Sequence, residues 1–346
     1  MKEKDKKLTI SELGEFGLID HLTKDIEIKN ESTLKGVGDD AAVLDFKNKK
    51  IVVTTDLLVE GIHFDLTYTP LKHLGYKAAV VNFSDVYAMN AQPKQITVAI
   101  ALSGKFSLEA IEELYSGIRL ACNNYDVDFV GGDTSSSITG LTLSITAIGE
   151  CDNDNVVFRN TAKLNDIVCV SGDLGGAYMG LQLLEREKQV FKTNPDFKPQ
   201  LDKYDYILER QLKPEARRDI VRLLKENNIC PTSMIDVSDG LSSEVLHICK
   251  DSEVGCSIYE EKIPLHQQTK DMAHELNINP VVSALNGGED YELLFTVSIN
   301  DYEKIKNLQG ISVIGHITKE GDGANLVTFD NKNIPLTAQG WNAMNR

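Results

Sequence analysis

Carboxylates in short glycine- or serine-flanked runs recur along this chain: GDD ending at Asp40, TTD at Thr54–Asp56, SD at Ser84–Asp85, GGD ending at Asp133, DVSD at Asp236–Asp239 and GGED at Gly287–Asp290. Carboxylate and hydroxyl oxygens are hard donors. Gathered in one place they suit Mg2+, which keeps some of its waters and commonly bridges to substrate phosphates. The EF-hand pattern is absent, so a calcium-sensor loop is not indicated. Each run also has an ordinary explanation. Asp239 can cap a helix that starts after Gly240, and Asp133 can sit in a glycine turn. Asp85 is harder to set aside, because it continues the series Leu74, Ala78, Val81 on an apolar helical stripe. A carboxylate there is costly unless it is paired, hydrogen-bonded or metal-bound.

The overall balance limits what such a cluster can serve. Among 346 residues, 36 Lys+Arg stand against 52 Asp+Glu, a net charge of −16, and no basic run exceeds the N-terminal KEKDKK. Nucleic acid and anionic membranes are therefore poor partners, and an anionic substrate must bring cations with it. Six scattered cysteines (Cys122, Cys151, Cys169, Cys230, Cys249, Cys256) include no C-x-x-C pair, which suits reduced thiols rather than a disulfide framework or a zinc site. The N-terminus lacks an apolar leader and no apolar run approaches membrane-spanning length, so a cytoplasmic protein is expected.

The elements that must position these groups follow from periodicity. Ile51–Val53 is a β-branched strand that is expected to end at Thr54, Thr55 and Asp56, with Gly61 and His63 in the turn beyond; strand ends are the usual ligand position in α/β domains. Leu71–Met89 reads as a helix, Gln95–Leu102 as a strand, Leu108–Asn123 as an amphipathic helix, Val127–Val130 as a strand running into Gly131-Gly132-Asp133, and Leu141–Gly149 as another strand. The length suggests two domains, and the polar CDNDN run (Cys151–Asn155) marks the expected boundary, with an α+β domain over residues 1–150 and a second domain over 151–346. In the second, the strand Ile167–Val170 enters Ser171–Gly176, which matches neither G-x-G-x-x-G nor the P-loop, and then a helix through Leu184. Glu187–Tyr206, with Pro195 and Pro199, reads as a surface excursion or lid. A helix over Pro214–Asn227, a helix after Asp239-Gly240, and a strand Leu293–Val297 after the GGED turn complete the frame.

In this order and at these separations, GVGDDAAVL, TTDLLVEGIHF, NFSDVYAMNAQP, GGDTSSS, IDVSDGLSS and GGEDYEL resemble the thiamine-monophosphate kinase family, within the superfamily of aminoimidazole ribonucleotide synthetase. The resemblance runs from Glu12 to Trp341. It implies an N-terminal α+β domain whose mixed sheet pairs with its twin in a homodimer, a C-terminal α/β domain packed behind it, and transfer from ATP to thiamine phosphate to give thiamine diphosphate. By position, Asp40, Thr54, Thr55, Asp56, Asp85, Asp133, Asp236 and Asp239 resemble ligands of several Mg2+ ions. Tyr115, Gly132, Asp133, Arg159 and Ser238 resemble ATP contacts, and His63, Glu289 and Trp341 resemble contacts to thiamine phosphate. Asn90 stands where the family usually has glycine, and asparagine tolerates the left-handed backbone.

The physical chemistry agrees with that reaction. Two polyanions meet while the motifs supply almost no Lys or Arg, so metal ions must neutralise them. No general base is expected, since a phosphate monoester with a second pKa near ~6 is already anionic at neutral pH. Plainer roles stay open for three residues: a loop histidine for His63, a core plug for the sole tryptophan Trp341, and a surface ion pair for Arg159. Aminoimidazole ribonucleotide synthetase is the alternative enzyme, and a metal-binding scaffold without activity the alternative class. Selenide-water dikinase would need a reactive Cys near the N-terminus, where none precedes Cys122, and the hydrogenase-maturation member ends in a Cys that the terminal WNAMNR lacks.

Overall fold

The computed structural model describes residues 21–35, 43–44, 49–152, 155–196, 198–199 and 201–339. Asp40 and Trp341 lie outside the described residues. The chain divides into two compact units, one of residues up to Val86 with Gln92–Glu150, the other of Tyr87–Ala91 with Cys151 onward.

In the first unit, β1 (Thr33–Lys35) pairs antiparallel with β2 (Val43–Leu44). The main sheet has the order β3 (Lys49–Val59), β6 (Thr142–Asp152), β4 (Gln92–Leu102), β5 (Asp128–Ser136), and it is mixed: β4 runs antiparallel to β6 and parallel to β5. Helices α1 (Leu71–Ala88) and α2 (Leu108–Tyr125) accompany it. Ser107 caps α2 by accepting the Ala110 N–H, and Leu108, Ile111, Leu114, Tyr115, Ile118 and Cys122 form its buried stripe. The two helices touch backbone to backbone: a Cβ on Gly75 would lie 2.0 Å from the Leu114 carbonyl oxygen, and one on Gly117 1.9 Å from that of Lys72. Only glycine fits at either position. With α2 so close, α1 is buried almost all round, which is why it carries Asn82 and Ser84 at 0% exposure beside Phe83 and Val86.

Two strands run further than their sequences suggest. β3 continues through Thr54–Asp56 to Val59, so these residues sit in mid-strand rather than at a strand end. β5 likewise passes through Gly131-Gly132-Asp133 to Ser136, with a register shift opposite Ile96/Thr97 in place of a turn. Both are edge strands among the described residues. One face of an edge strand tolerates polar residues in alternation, so the first hydroxyl or carboxylate does not mark its end.

The second unit is built on a seven-stranded sheet of order β13 (Asn333–Pro335), β12 (Ala324–Val327), β9 (Val254–Tyr259), β11 (Ile311–Lys319), β7 (Ile167–Ser171), β10 (Leu293–Val297), β8 (Ser233–Asp236). Its neighbours run antiparallel except β9 with β12. β7 and β10 are buried along their whole length because both faces are covered. Val168 and Val170 pack with Leu241, Val245 and Ile248 of α6 (Leu241–Ser252), while Ile167 and Cys169 pack with Ile220 and Leu224 of α5 (Arg218–Glu226). A third cluster joins α3 (Gly176–Thr193), α4 (Asp205–Leu212) and α7 (Gln267–Glu275) through Met179, Leu183, Ile207 and Met272. Helix α3 extends into the polar run expected to be a lid, taking up Glu187–Thr193. The good helix formers in EREKQ outweigh their polarity, and Glu187 is itself buried. Among the described residues no helix is long and apolar enough to cross a membrane.

Candidate active site

The first unit brings Thr54, Asp56 and Asp85 together. Strand alternation turns Val52, Thr54, Asp56 and Leu58 to one face of β3. There Thr54 Oγ1 donates to Asp85 Oδ2 across 2.6 Å. Asn82, one helical turn before Asp85, accepts the Asp56 N–H at 3.1 Å and donates to the Ala78 carbonyl at 3.0 Å. Asn82 was not among the residues singled out from sequence, although its i−3 spacing from Asp85 puts both on one helix face. Burial, and then the nearby Asp85, push the Asp56 carboxyl up to about 6. Asp85 is raised as well, by burial, against its hydrogen bond from Thr54. Two half-buried carboxylates thus share a site in which no Lys or Arg of the described residues offsets them. That is the environment a divalent cation relieves, and the donors are the hard oxygens it prefers. Among the described residues no group of three His, Cys, Asp or Glu side chains is arranged to hold a metal ion, and Asp40 falls outside them.

The other residues of the first unit lie apart from this pair. Thr55 points to the opposite face, where it donates to the Ile145 carbonyl at 3.2 Å and accepts from Thr146 at 3.0 Å. Asp133 stands on β5, level with Ala99 of β4, at the far edge of the sheet from β3. Three strand spacings amount to about 14 Å along the sheet, so Asp133 and Asp56 do not share one ion within this sheet. Gly132 packs against β4 so closely that a Cβ would lie 1.8 Å from the Val98 carbonyl oxygen. Tyr115 is buried, stacked on Phe129 with ring centroids 5.9 Å apart; burial pushes its phenol up to about 12, while a hydrogen bond to Thr134 opposes the shift. His63 turns back on its own strand, and its Nδ1 accepts the Val59 N–H at 3.0 Å. The ring proton of a neutral His63 is thereby placed on Nε2.

In the second unit, Asp236, Ser238, Asp239 and Glu289 lie on two adjoining segments. Asp236 is buried at the end of β8, opposite Leu293 of β10. The Ser238 carbonyl accepts the Glu289 N–H at 2.7 Å. Asp239 is raised by burial and by Glu289, with His247 opposing, and its N–H donates to Glu244 at 3.0 Å. Glu289 also accepts from Gln211 Nε2 at 3.0 Å. Arg159 is not drawn into this group. Its guanidinium pairs with Asp251 at 2.7 Å, at the opposite end of α6 from Asp239.

The fold has counterparts among known proteins. Residues 38–151 match the family model described as AIR synthase related protein, N-terminal domain. The hydrogenase maturation protein HypE in complex with ATP superposes with a TM-score of 0.73 over 93% of this chain and 94% of its own, at 17% identity, so the two share a fold class. Sequence narrows the class. Thiamine-monophosphate kinase of Aquifex aeolicus is 35% identical over 334 residues, 96% of this chain and 99% of its own, and that of Bacillus subtilis 34% over 336 residues, 95% and 99%. A solved structure of AaThiL complexed with AMPPCP and TMP superposes with a TM-score of 0.73 at 34% identity, covering 95% of this chain and 97% of its own. The chain belongs to the thiamine-monophosphate kinase family.

Proposed function

We propose that this chain transfers the γ-phosphoryl group of ATP to thiamine phosphate, giving ADP and thiamine diphosphate, with Mg2+ as cofactor. The observation that carries the reading is 35% identity along 96% of the chain to a thiamine-monophosphate kinase, supported by a relative of 34% identity whose structure holds AMPPCP and TMP. The uncompensated Asp56–Asp85 pair with Thr54 agrees with it. These three, and separately Asp40, Asp133, Asp236 and Asp239, are assigned to several Mg2+ ions, which when bound would supply the charge neutralisation that lets two sets of phosphate oxygens approach. Tyr115, Gly132, Asp133, Arg159 and Ser238 are assigned to ATP. For Arg159 the assignment requires leaving Asp251. His63, Glu289 and Trp341 are assigned to thiamine phosphate. With its proton on Nε2, His63 meets the acceptor as a hydrogen-bond donor, and the acceptor phosphate serves as its own nucleophile.

We assign the active protein as a homodimer through the open face of the four-stranded sheet, where Val53 and Leu57 are 62% and 55% exposed beside Ile51 and the threonines of β6. The six cysteines are all free thiols, which supports a reducing, cytoplasmic setting. Incubation with ATP, MgCl2 and thiamine phosphate, with chromatographic detection of thiamine diphosphate, tests the activity. ATP consumption without that product would refute it.

A further inference from the structure

Helix α4 sets two consecutive side chains on the segment that carries Glu289. Arg210 donates through Nη2 to the carbonyls of Asp290 (3.0 Å) and Asp173 (3.1 Å), and Gln211 donates through Nε2 to Glu289 Oε2 (3.0 Å). The segment is strained: Gly288, Glu289 and Tyr291 have φ of 73°, 58° and 52°, a left-handed run that costs energy at the two residues with side chains. It persists because its main chain is fastened from several sides. The Glu289 N–H donates to Ser238 and the Tyr291 N–H to Val237 at 2.9 Å, while the Asp290 carboxylate accepts the N–H of Gly175 at 2.7 Å at the start of α3.

These contacts fix the path of the backbone. The rotation of the Glu289 carboxylate is a separate matter, and Gln211 acts on it. Gln211 is only 6% exposed, and its stem is held where α3 and α4 close up: a Cβ on Gly180 would meet the Ile207 carbonyl oxygen at 2.1 Å and Gln211 Cβ at 2.9 Å. A side chain so confined presents its amide in one orientation, and a carboxylate hydrogen-bonded to it inherits that orientation.

We propose that Gln211 is a positioning residue for the acceptor substrate, setting the angle at which the Glu289 carboxylate meets thiamine phosphate. The inference rests on the assignment of Glu289 to the acceptor. No motif marks Gln211, which lies 78 positions before Glu289 in the chain.

Steady-state kinetics of the full-length protein with each substrate varied separately test it, using Gln211→Met, which keeps the length but removes the donor, and Gln211→Glu, which keeps the shape but reverses the interaction. Gln211→Met is expected to raise KM for thiamine phosphate roughly tenfold while KM for ATP and kcat stay within about twofold. Gln211→Glu is expected to raise it further, because two carboxylates then face each other. An unchanged KM for thiamine phosphate in both variants overturns the proposal. So does an equal rise in both KM values accompanied by a lower Tm, which would mark a packing role. Glu289→Gln separates the two assignments. If it raises KM for thiamine phosphate and Gln211→Met does not, the positioning role alone fails; if it leaves that KM unchanged, the assignment of Glu289 fails and the inference with it.

Discussion

Both units bury carboxylates side by side, and they treat them in opposite ways. In the second unit, Glu292 is met by Arg210 at 2.9 Å, by Arg217 and by the Ser171 hydroxyl, and Asp290 by Arg210 and the amides of Gly175 and Ala177. Burial still pushes Asp290 up to about 7, so these donors offset its desolvation only in part. In the first unit, among the described residues, Asp56 and Asp85 have one hydroxyl and each other. A carboxylate cluster with its own arginines is complete and serves the fold. One without them fits the metal-holding role proposed for it. Acidic residues at similar spacings can therefore have different destinies, decided by what the fold sets opposite them.

The comparison can be broken from either side. The largest effect is expected from Arg210→Met, which strands buried charge: about 3–5 kcal/mol of stability lost in chemical denaturation, with or without Mg2+. A loss that Mg2+ restores would mean that this cluster, too, binds metal. Next comes Asp56→Asn, expected to cost about 10²–10³-fold in kcat/KM at saturating Mg2+, in line with a lost metal ligand worth several kcal/mol, while the protein stays folded. Full turnover would remove Asp56 from the metal site.

Stability should move the other way in the same variant. The folded protein holds the Asp56 proton up to about pH 6, whereas the unfolded chain releases it near 3.8. Stability contributed by that proton is complete below the lower value and lost as pH rises through the upper one. Without metal, Asp56→Asn is thus expected to match the wild type at acid pH and to exceed it by up to about 3 kcal/mol at pH 7. Added Mg2+ should erase the difference, and thermal melts in EDTA and in MgCl2 across this window read it directly. The smallest change is expected at His63. With Nδ1 engaged by the Val59 N–H, His63→Asn should lower kcat/KM about tenfold and leave the acidic limb of its pH profile near ~6, where the acceptor phosphate titrates. A profile that loses that limb would identify His63 as the base.

Much of the frame was legible in the residues. Helix α1 and the misplaced carboxylate on it follow from the spacing of Leu74, Ala78, Val81 and Asp85, and β7 and β10 from short apolar runs. Local pattern misled at Thr54–Asp56 and Asp133, where polar residues seemed to close strands that in fact continue along sheet edges. The helical run after Leu184 was hidden by its polarity. The partners were the least legible part. Thr54 finds Asp85 and Asp56 finds Asn82 across 31 and 26 residues, and Gln211 finds Glu289 across 78. Such pairings depend on which strand lies beneath which helix, and periodicity does not carry that information.

The mid-strand position of Asp56 has a colloidal consequence. Among the described residues β3 is an edge, with apolar Ile51, Val53 and Leu57 on its open side, the kind of border that recruits further strands into aggregates. An inward-facing charge halfway along it obstructs that growth, because an added strand would have to bury the charge. The carboxylate assigned to the metal thus also guards solubility, and Asp56→Asn should scatter more light on warming than Asp133→Asn, whose charge is exposed on the opposite border.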